Sequence, residues 1–477
     1  MRQGVTPAAD SSSADQSADL AAQVRELRAA VAELSAKVAA LEQVKVAAGA
    51  SAPPQPGSAA TSNPTALRTS ASTTSSPDTS SNSVVATSSE GSTADTATVA
   101  AVPTHVVASP PLADADRAVL DQFLGTTLSA TVDGYYIYNF NLPYDRNNQL
   151  RAYDLPSNSF SINQATLIFE HAPDPANGNR FGGRIDLQFG EATQTLGGSS
   201  LNELHPETWR NLFQAYGTYV APIGSGLQLD FGKFASALGV EGNYTKDQVN
   251  YSRSFFFDYL PFYHTGLRAT YNLNPKMTVA YWAVNGAQQT EDFNGPKSEA
   301  VLLTYKPNNS FSWNFNYFVG NESRNLTASG VAIVPTPNGH EHVFDSYGTW
   351  NISKRLSFVG EADLVINRTY SHSAPEHVAG GVAYLRYQLP RQYALAGRVE
   401  YLADPNGLFS GAGQALKEAT ITLDRQLGNN FLARSEYRRD LSNQRYFNTA
   451  QPGFPTFAQP TATLGLIWWW GGKTGVW

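Results

Sequence analysis

The chain has 477 residues, 15% of them charged and 12% aromatic, with a formal net charge of -7 and no cysteine. No run of about 18 apolar residues occurs, which excludes a helical membrane span. The lack of cysteine excludes disulfide frameworks, thiolate metal sites and cysteine nucleophiles, and the acidic balance offers no basic face to a nucleic acid, so no such partner is expected.

Residues 1–18 read as a disordered N-terminus. Within 19–46, Leu20, Val24, Leu27, Val31, Leu34, Val38 and Leu41 alternate spacings of four and three, with valine at a and leucine at d. This pattern predicts a coiled-coil helix that assembles a dimer or a trimer; the alternative is a lone amphipathic helix packed on its own protein. Residues 47–111 are rich in Ser, Thr, Ala and Pro and poor in large hydrophobes, too few to offset the entropy of ordering, so they read as a disordered linker. Its random-coil span is about 45 Å. A short helix is expected over 112–125, with Val119, Leu120, Phe123 and Leu124 on its apolar side and Gly125 as its stop.

From 126 to 477 the chain divides into about sixteen segments of period-two alternation, each near the length that a tilted strand needs to cross a bilayer. They run near 128–139, 159–170, 180–190, 211–220, 227–234, 264–273, 277–285, 298–305, 311–319, 342–350, 356–365, 377–389, 392–401, 415–426, 430–438 and 461–470. Short connections (APIGSG, NPK, KPNNS, NISKR, PR, LGNN) suit tight hairpins. They alternate with long intervals at about 140–158, 191–210, 235–263, 320–341, 402–414 and 439–460. Tight turns at one end and long loops at the other are the asymmetry of an outer-membrane barrel. The fold class expected is therefore all-β, a transmembrane antiparallel up-and-down barrel of about sixteen strands, preceded by the coil and linker. Such a barrel must be exported, and the opening MRQGVTPAADSSS carries neither an apolar core nor a cleavage pattern. That counts against the barrel unless the chain begins downstream of its export signal.

In several segments charges share one face. Arg398 and Glu400 fall on one side, as do Glu361 and Asp363, and Arg434, Glu436 and Arg438, each set interleaved with apolar residues. An arginine on the lipid face costs about 2–4 kcal/mol at the bilayer midplane, so these sets are expected to face a watery lumen. By the same alternation Arg184, Asp186, Asp230, Arg268, Arg386 and Asp424 join the lining. Tyr393 and Tyr401 bracket Leu395 and Val399 on the opposite face, as an aromatic girdle brackets an apolar band.

The interval 235–263 is the third long loop and the best candidate to fold back and narrow the lumen. It holds Glu241, Lys246, Asp247, Arg253 and Asp258 beside Phe255, Phe256 and Phe257. The aromatics are expected to pack against the wall and the charges to face the aperture, across from Arg184, Arg268, Arg386 and Arg398. The alternative is a loop lying over the outer rim with solvated charges.

TVDGYYIYNFNLP at 131–143, NYSRSFFFDYLPFYHTGLRATY at 250–271 and LGLIWWWGGK at 464–473 resemble the OmpL-like β-barrel porin family, porin-2, over roughly residues 126–473. The resemblance implies an outer-membrane pore for small hydrophilic solutes and supplies no catalytic residues. Gly471 and Gly472 interrupt the last alternation, so either Trp477 or an earlier tryptophan is the terminal aromatic of the barrel.

No metal or cofactor is expected. His264 lacks partners at ligand spacing and reads as a hydrogen-bonding wall residue, and alternation puts Glu341 on the opposite face from His340 and His342. The reading is of a non-enzymatic diffusion channel in the bacterial outer membrane, with the coil in the periplasm. The expected partners are outer-membrane lipid, further copies of the chain, and peptidoglycan or the coil itself. Two other readings stand beside it: an envelope-tethering or adhesive protein whose barrel is a plugged anchor, and an outer-membrane lipase suggested by Ser252 and Ser254 near His264. No G-x-S-x-G nucleophile elbow supports the latter.

Overall fold

The computed structural model describes residues 125–197, 203–327 and 330–471. Sixteen strands form one closed antiparallel barrel. They are β1 Thr126–Asn139, β2 Ser159–His171, β3 Phe181–Phe189, β4 Leu212–Ala221, β5 Leu227–Ala235, β6 Tyr263–Asn274, β7 Met277–Val284, β8 Ser298–Asn308, β9 Phe311–Gly320, β10 Glu341–Asn351, β11 Leu356–Asn367, β12 Glu376–Leu389, β13 Tyr393–Asp404, β14 Gln414–Leu427, β15 Phe431–Ser442 and β16 Ala458–Trp470. Each strand pairs with its chain neighbours, and β1 pairs with β16 from Ala130 opposite Trp470 to Asn139 opposite Thr461, so no edge is left.

Every predicted segment coincides with a strand. The largest differences lie at the long-loop end, where β15 runs on to Ser442 and β16 starts at Ala458, beyond the predicted 438 and 461. The backbone ladder there continues past the stretch whose outer face is uniformly apolar. The predicted coil and linker, the 112–125 helix apart from Gly125, and Trp477 lie outside the described residues.

Alternation places the apolar side outward. Along β13, Ala394, Ala396, Arg398, Glu400 and Leu402 are buried, while Leu395, Val399 and Tyr401 are exposed, Val399 to 59%. Phe231 is 74% exposed on β5, whereas Asp424 and Arg434 are fully buried on β14 and β15. Such an inside-out distribution is stable only where the outer face meets hydrocarbon.

Two bulges turn consecutive side chains inward. The β1–β2 register shifts at Asp133/Gly134, so Asn163 and Gln164 are both buried, and the β3–β4 register shifts at Asp186/Leu187, so Phe213 and Gln214 are both buried. On β5 and β6, Gly232 (φ +136) stands opposite Gly266 (φ +157). A Cβ on either would come within 2.3 Å of a neighbouring strand's carbonyl oxygen. These glycines permit the close approach of β5 to β4 at Ala215 and of β6 to β7 at Ala283, on the two strands from which the long 236–262 segment departs.

That segment is interior to the barrel. All of its residues are buried or half-buried, and Leu238, Phe255, Phe256, Tyr259 and Leu260 share an apolar cluster with wall residues including Phe234, Trp282, Phe318, Val365 and Leu402. A second cluster joins Phe257, Phe262 and Tyr263 to Ala152 and Tyr153 of the first long loop and to Leu196.

Candidate functional site

The interior site is built by the 236–262 segment and the wall strands that hold it. Ser236 starts the segment with its hydroxyl 2.8 Å from Nε2 of His264, whose Nδ1 lies 3.0 Å from the Gly286 carbonyl oxygen. His264 is thus a buried hydrogen-bonding wall residue between two loops. The five-residue helix Phe255–Tyr259 begins at Ser254, whose hydroxyl accepts the Phe257 amide at 2.9 Å. The Glu400 carboxylate accepts the Phe255 and Phe256 amides at 2.7 and 2.9 Å. A carboxylate at free backbone amides is the favourable charge for a helix start.

A second wall carboxylate, on β15, also takes a pair of consecutive amides. Glu436 accepts the Tyr251 and Ser252 amides at 2.6 and 3.0 Å. Arginines take the carbonyls: Arg398 donates to Ser252 O at 2.7 Å and Arg253 O at 3.2 Å. Arg434 donates to the carbonyls of Thr245, Gln248 and Asn250 at 3.1, 2.8 and 3.0 Å, and Arg438 donates to Arg253 O. Behind these contacts the arginines are neutralised within the wall. Arg398 meets Glu418 at 2.8 Å, Arg434 meets Asp424 at 2.7 Å and Arg438 meets Asp440 at 2.6 Å, while Arg386 shares Asp424 at 2.8 Å.

This corrects the expected placement of the charges. Arg398, Glu400, Arg434, Glu436 and Arg438 point inward as alternation requires, but the segment covers them, and they bind its backbone instead of bordering open water. The segment's own charges are engaged by the wall, by the first long loop or within the segment. Glu241 pairs with Arg398 at 3.0 Å and accepts the Ser254 amide at 2.7 Å. Arg253 lies over the rings of Tyr153 and Phe257, 5.2 and 5.3 Å from their centroids, and donates to Tyr251 O and Asn243 O. Asp258 is buried. Lys246 is buried against Asp247 at 2.7 Å, and the Asp247 side chain keeps 36% exposure. Burial alone would raise the Glu241 carboxyl, but Arg398, Arg253 and the Ser254 amide hold it below the ordinary value. Burial pushes the Tyr251 phenol well up, and the Asp133 carboxylate, which accepts its proton at 2.9 Å, adds to that.

On the other wall, Arg184 pairs with Asp186 and Arg268 with Asp230, each at 2.8 Å. Tyr244 of the segment donates to Asp186. Arg184 and Arg268 retain 16% and 11% side-chain exposure. Glu361 and Asp363 join Asp345 in a buried group whose carboxylate oxygens lie within 4.8 Å of one another, and Asp345 accepts the Gly239 amide at 2.9 Å. Among the described residues this is the group with the donor set to hold a cation. Glu341 is buried, while His342 faces the other way and meets the Tyr317 hydroxyl at 2.8 Å.

Sequence reasoning missed a second inward loop. Arg151 reaches in from the first long interval to pair with Asp440 at 3.0 Å and with Asp154, and Tyr153 donates to Asn243 at 2.8 Å. No periodicity marks these residues. Glu418, by contrast, was legible, since it shares the inward parity of Thr420, Thr422 and Asp424.

A family model described as "Putative beta-barrel porin-2, OmpL-like" matches residues 125–468. No curated protein matches the sequence. Among solved structures, an anion-selective porin from Comamonas acidovorans is 8% identical, with 72% of this chain and 99% of that chain covered at a TM-score of 0.47. The outer membrane channel DcaP of Acinetobacter baumannii is 11% identical, with 72% and 97% covered at 0.47. Salmonella typhi OmpF in complex with daunomycin is 10% identical, with 72% and 97% covered at 0.46.

Proposed function

The chain belongs to the OmpL-like β-barrel porin-2 family, and on that premise we propose that it is a non-enzymatic porin of the bacterial outer membrane, passing small hydrophilic solutes by passive diffusion. The observation that carries this reading is the inverted wall, with exposed Val399, Ile421 and Leu464 outside and Arg398, Asp424 and Arg434 inside. Diffusion down a gradient needs no catalytic group, only a wet passage whose width and charge select solutes. The 236–262 segment narrows that passage. Arg184, Arg268 and Asp247, which keep part of their exposure, border the remaining water, and their mixed signs favour neither cations nor anions.

The long loops face outward and the short turns face the periplasm. The wall brings copies of the chain together as a trimer or dimer. The burial of every residue from Asn250 to Phe262 favours one other reading, a barrel sealed by its own segment that serves as an anchor.

Conductance of the full chain in a planar bilayer separates the two. Stepwise currents are expected, and a silent membrane would leave the sealed anchor. Deleting Lys246 to Asp258 should raise the unit conductance; an unchanged value would remove the narrowing role.

A further inference from the structure

The outward face of β13 to β16 is apolar through Leu395, Val399, Ile421, Leu423, Leu464 and Leu466. Toward the long-loop end it changes character. Tyr401 and Tyr437 are exposed there, and beside them stand two exposed cations, Lys417 on β14 and Arg439 on β15. Lys417 lies opposite Tyr401 on one side and Leu441 on the other, and Arg439 opposite Ala419 and Pro460. The two cations are therefore diagonal neighbours on one face of adjacent strands, a spacing of roughly 7–8 Å or somewhat less between Cβ atoms.

Neither has a hydrogen bond or ion pair with any described residue. No Asp or Glu shares the outward face of these four strands. The adjoining acids, Glu418 and Asp440, point inward and are taken by Arg398 and Arg438. At the short-turn end the nearest outward cation, Arg425, is already engaged, lying over the Tyr393 ring and donating to Arg391 O.

Two unneutralised cations at the upper border of a lipid-facing band call for an anion at that depth. We propose that Lys417 and Arg439 form a seat for the phosphate of a lipid headgroup in the leaflet that surrounds the long-loop end. Arginine offers a planar fork and lysine a mobile point charge, and both stems lie along apolar wall while the heads reach the headgroup layer. This inference rests on the reading that the outer face meets lipid, and it adds the headgroup chemistry and the sector that takes it.

The test is native mass spectrometry of the full chain released from mixed micelles holding equal amounts of phosphatidic acid and phosphatidylcholine. Phosphatidic acid should be retained roughly tenfold over the zwitterionic lipid, as expected for two cations acting on one phosphate. K417Q/R439Q should bring the ratio to unity, K417R/R439K should keep it, and K354Q/R355Q at a short turn should leave it unchanged. Equal retention of the two lipids by the natural chain, or an equal loss in the short-turn variant, overturns the seat while leaving the membrane reading intact. Retention of neither lipid overturns both. Displacement of phosphatidic acid by inorganic phosphate at matched concentration overturns the assignment to a lipid.

Discussion

Arg434 and Glu436, two residues apart on β15, grip the same interior segment by opposite backbone polarities. The arginine donates to the carbonyls of Thr245, Gln248 and Asn250, and the glutamate accepts the amides of Tyr251 and Ser252. One wall strand thus holds five peptide groups, four of which have no partner in regular secondary structure, so the segment's path is set by side chains of the wall.

Arg434→Met should release the middle of the segment. It leaves the buried carbonyls of Gln248 and Asn250 unbonded and strips Asp424 of one of its two arginines, and breaking a buried pair by removing one partner costs about 3–5 kcal/mol. Limited proteolysis of the folded barrel should cut the variant between 245 and 253 and leave the natural chain whole. Equal resistance would show that the phenylalanines alone hold the segment.

Acid should loosen the same segment through Glu241. Its carboxyl lies below the ordinary 4.5 in the folded chain, so its contribution is complete above that value and is lost as the pH falls through the lower folded value. Single-channel currents should be noisier at pH 3 than at pH 6. Glu241→Gln should be noisy at both, and a variant as quiet as the natural chain would dismiss the Arg398 pair as a restraint.

Glu322, in the loop after β9, should act in the opposite sense. Burial raises its carboxyl to about 7, although the Ser298 hydroxyl, the Ala287 amide and the Gln289 side chain all donate to it. A carboxyl raised on folding contributes fully while it is protonated in both states, and that contribution is lost as the pH climbs from 4.5 through about 7. The drop in thermal midpoint between pH 5 and pH 8 should be smaller in Glu322→Gln than in the natural chain.

Val399→Arg places a cation on the outer wall well inside the apolar band and should cost about 2–4 kcal/mol of folding stability in lipid, against about 0–1 near the interface. Urea titration in vesicles, compared with Ala403→Arg four residues nearer the long-loop end of the same strand, measures the depth dependence. Equal costs at the two positions would argue against a bilayer around this sector.

Much of the wall was readable before any coordinates, because strand parity is a local property: Arg398 and Glu400 must share a face whatever surrounds them. Parity does not say what covers that face. The covering segment has no period, and its contacts join residues far apart in sequence, such as Tyr251 with Asp133 and Glu436. The alternating Arg and Glu that looked like pore lining are its clamps for this reason. Arg151 and Tyr153 escaped for the same cause, and Asp345 was missed although it pairs across the ladder with Asp363, which had been singled out.

The seam between β1 and β16 also sets an order of events in biogenesis. Ala130 finds Trp470 only after the whole intervening wall has been made, so until the ribosome has delivered the last strand the first one carries a bare row of amides and carbonyls. A nascent chain in that condition is a template for pairing with its own siblings. Truncations that remove β16 should therefore yield aggregates, even though thirteen of the fifteen remaining strands would each still have both neighbours, with β1 and β15 as the two bare margins.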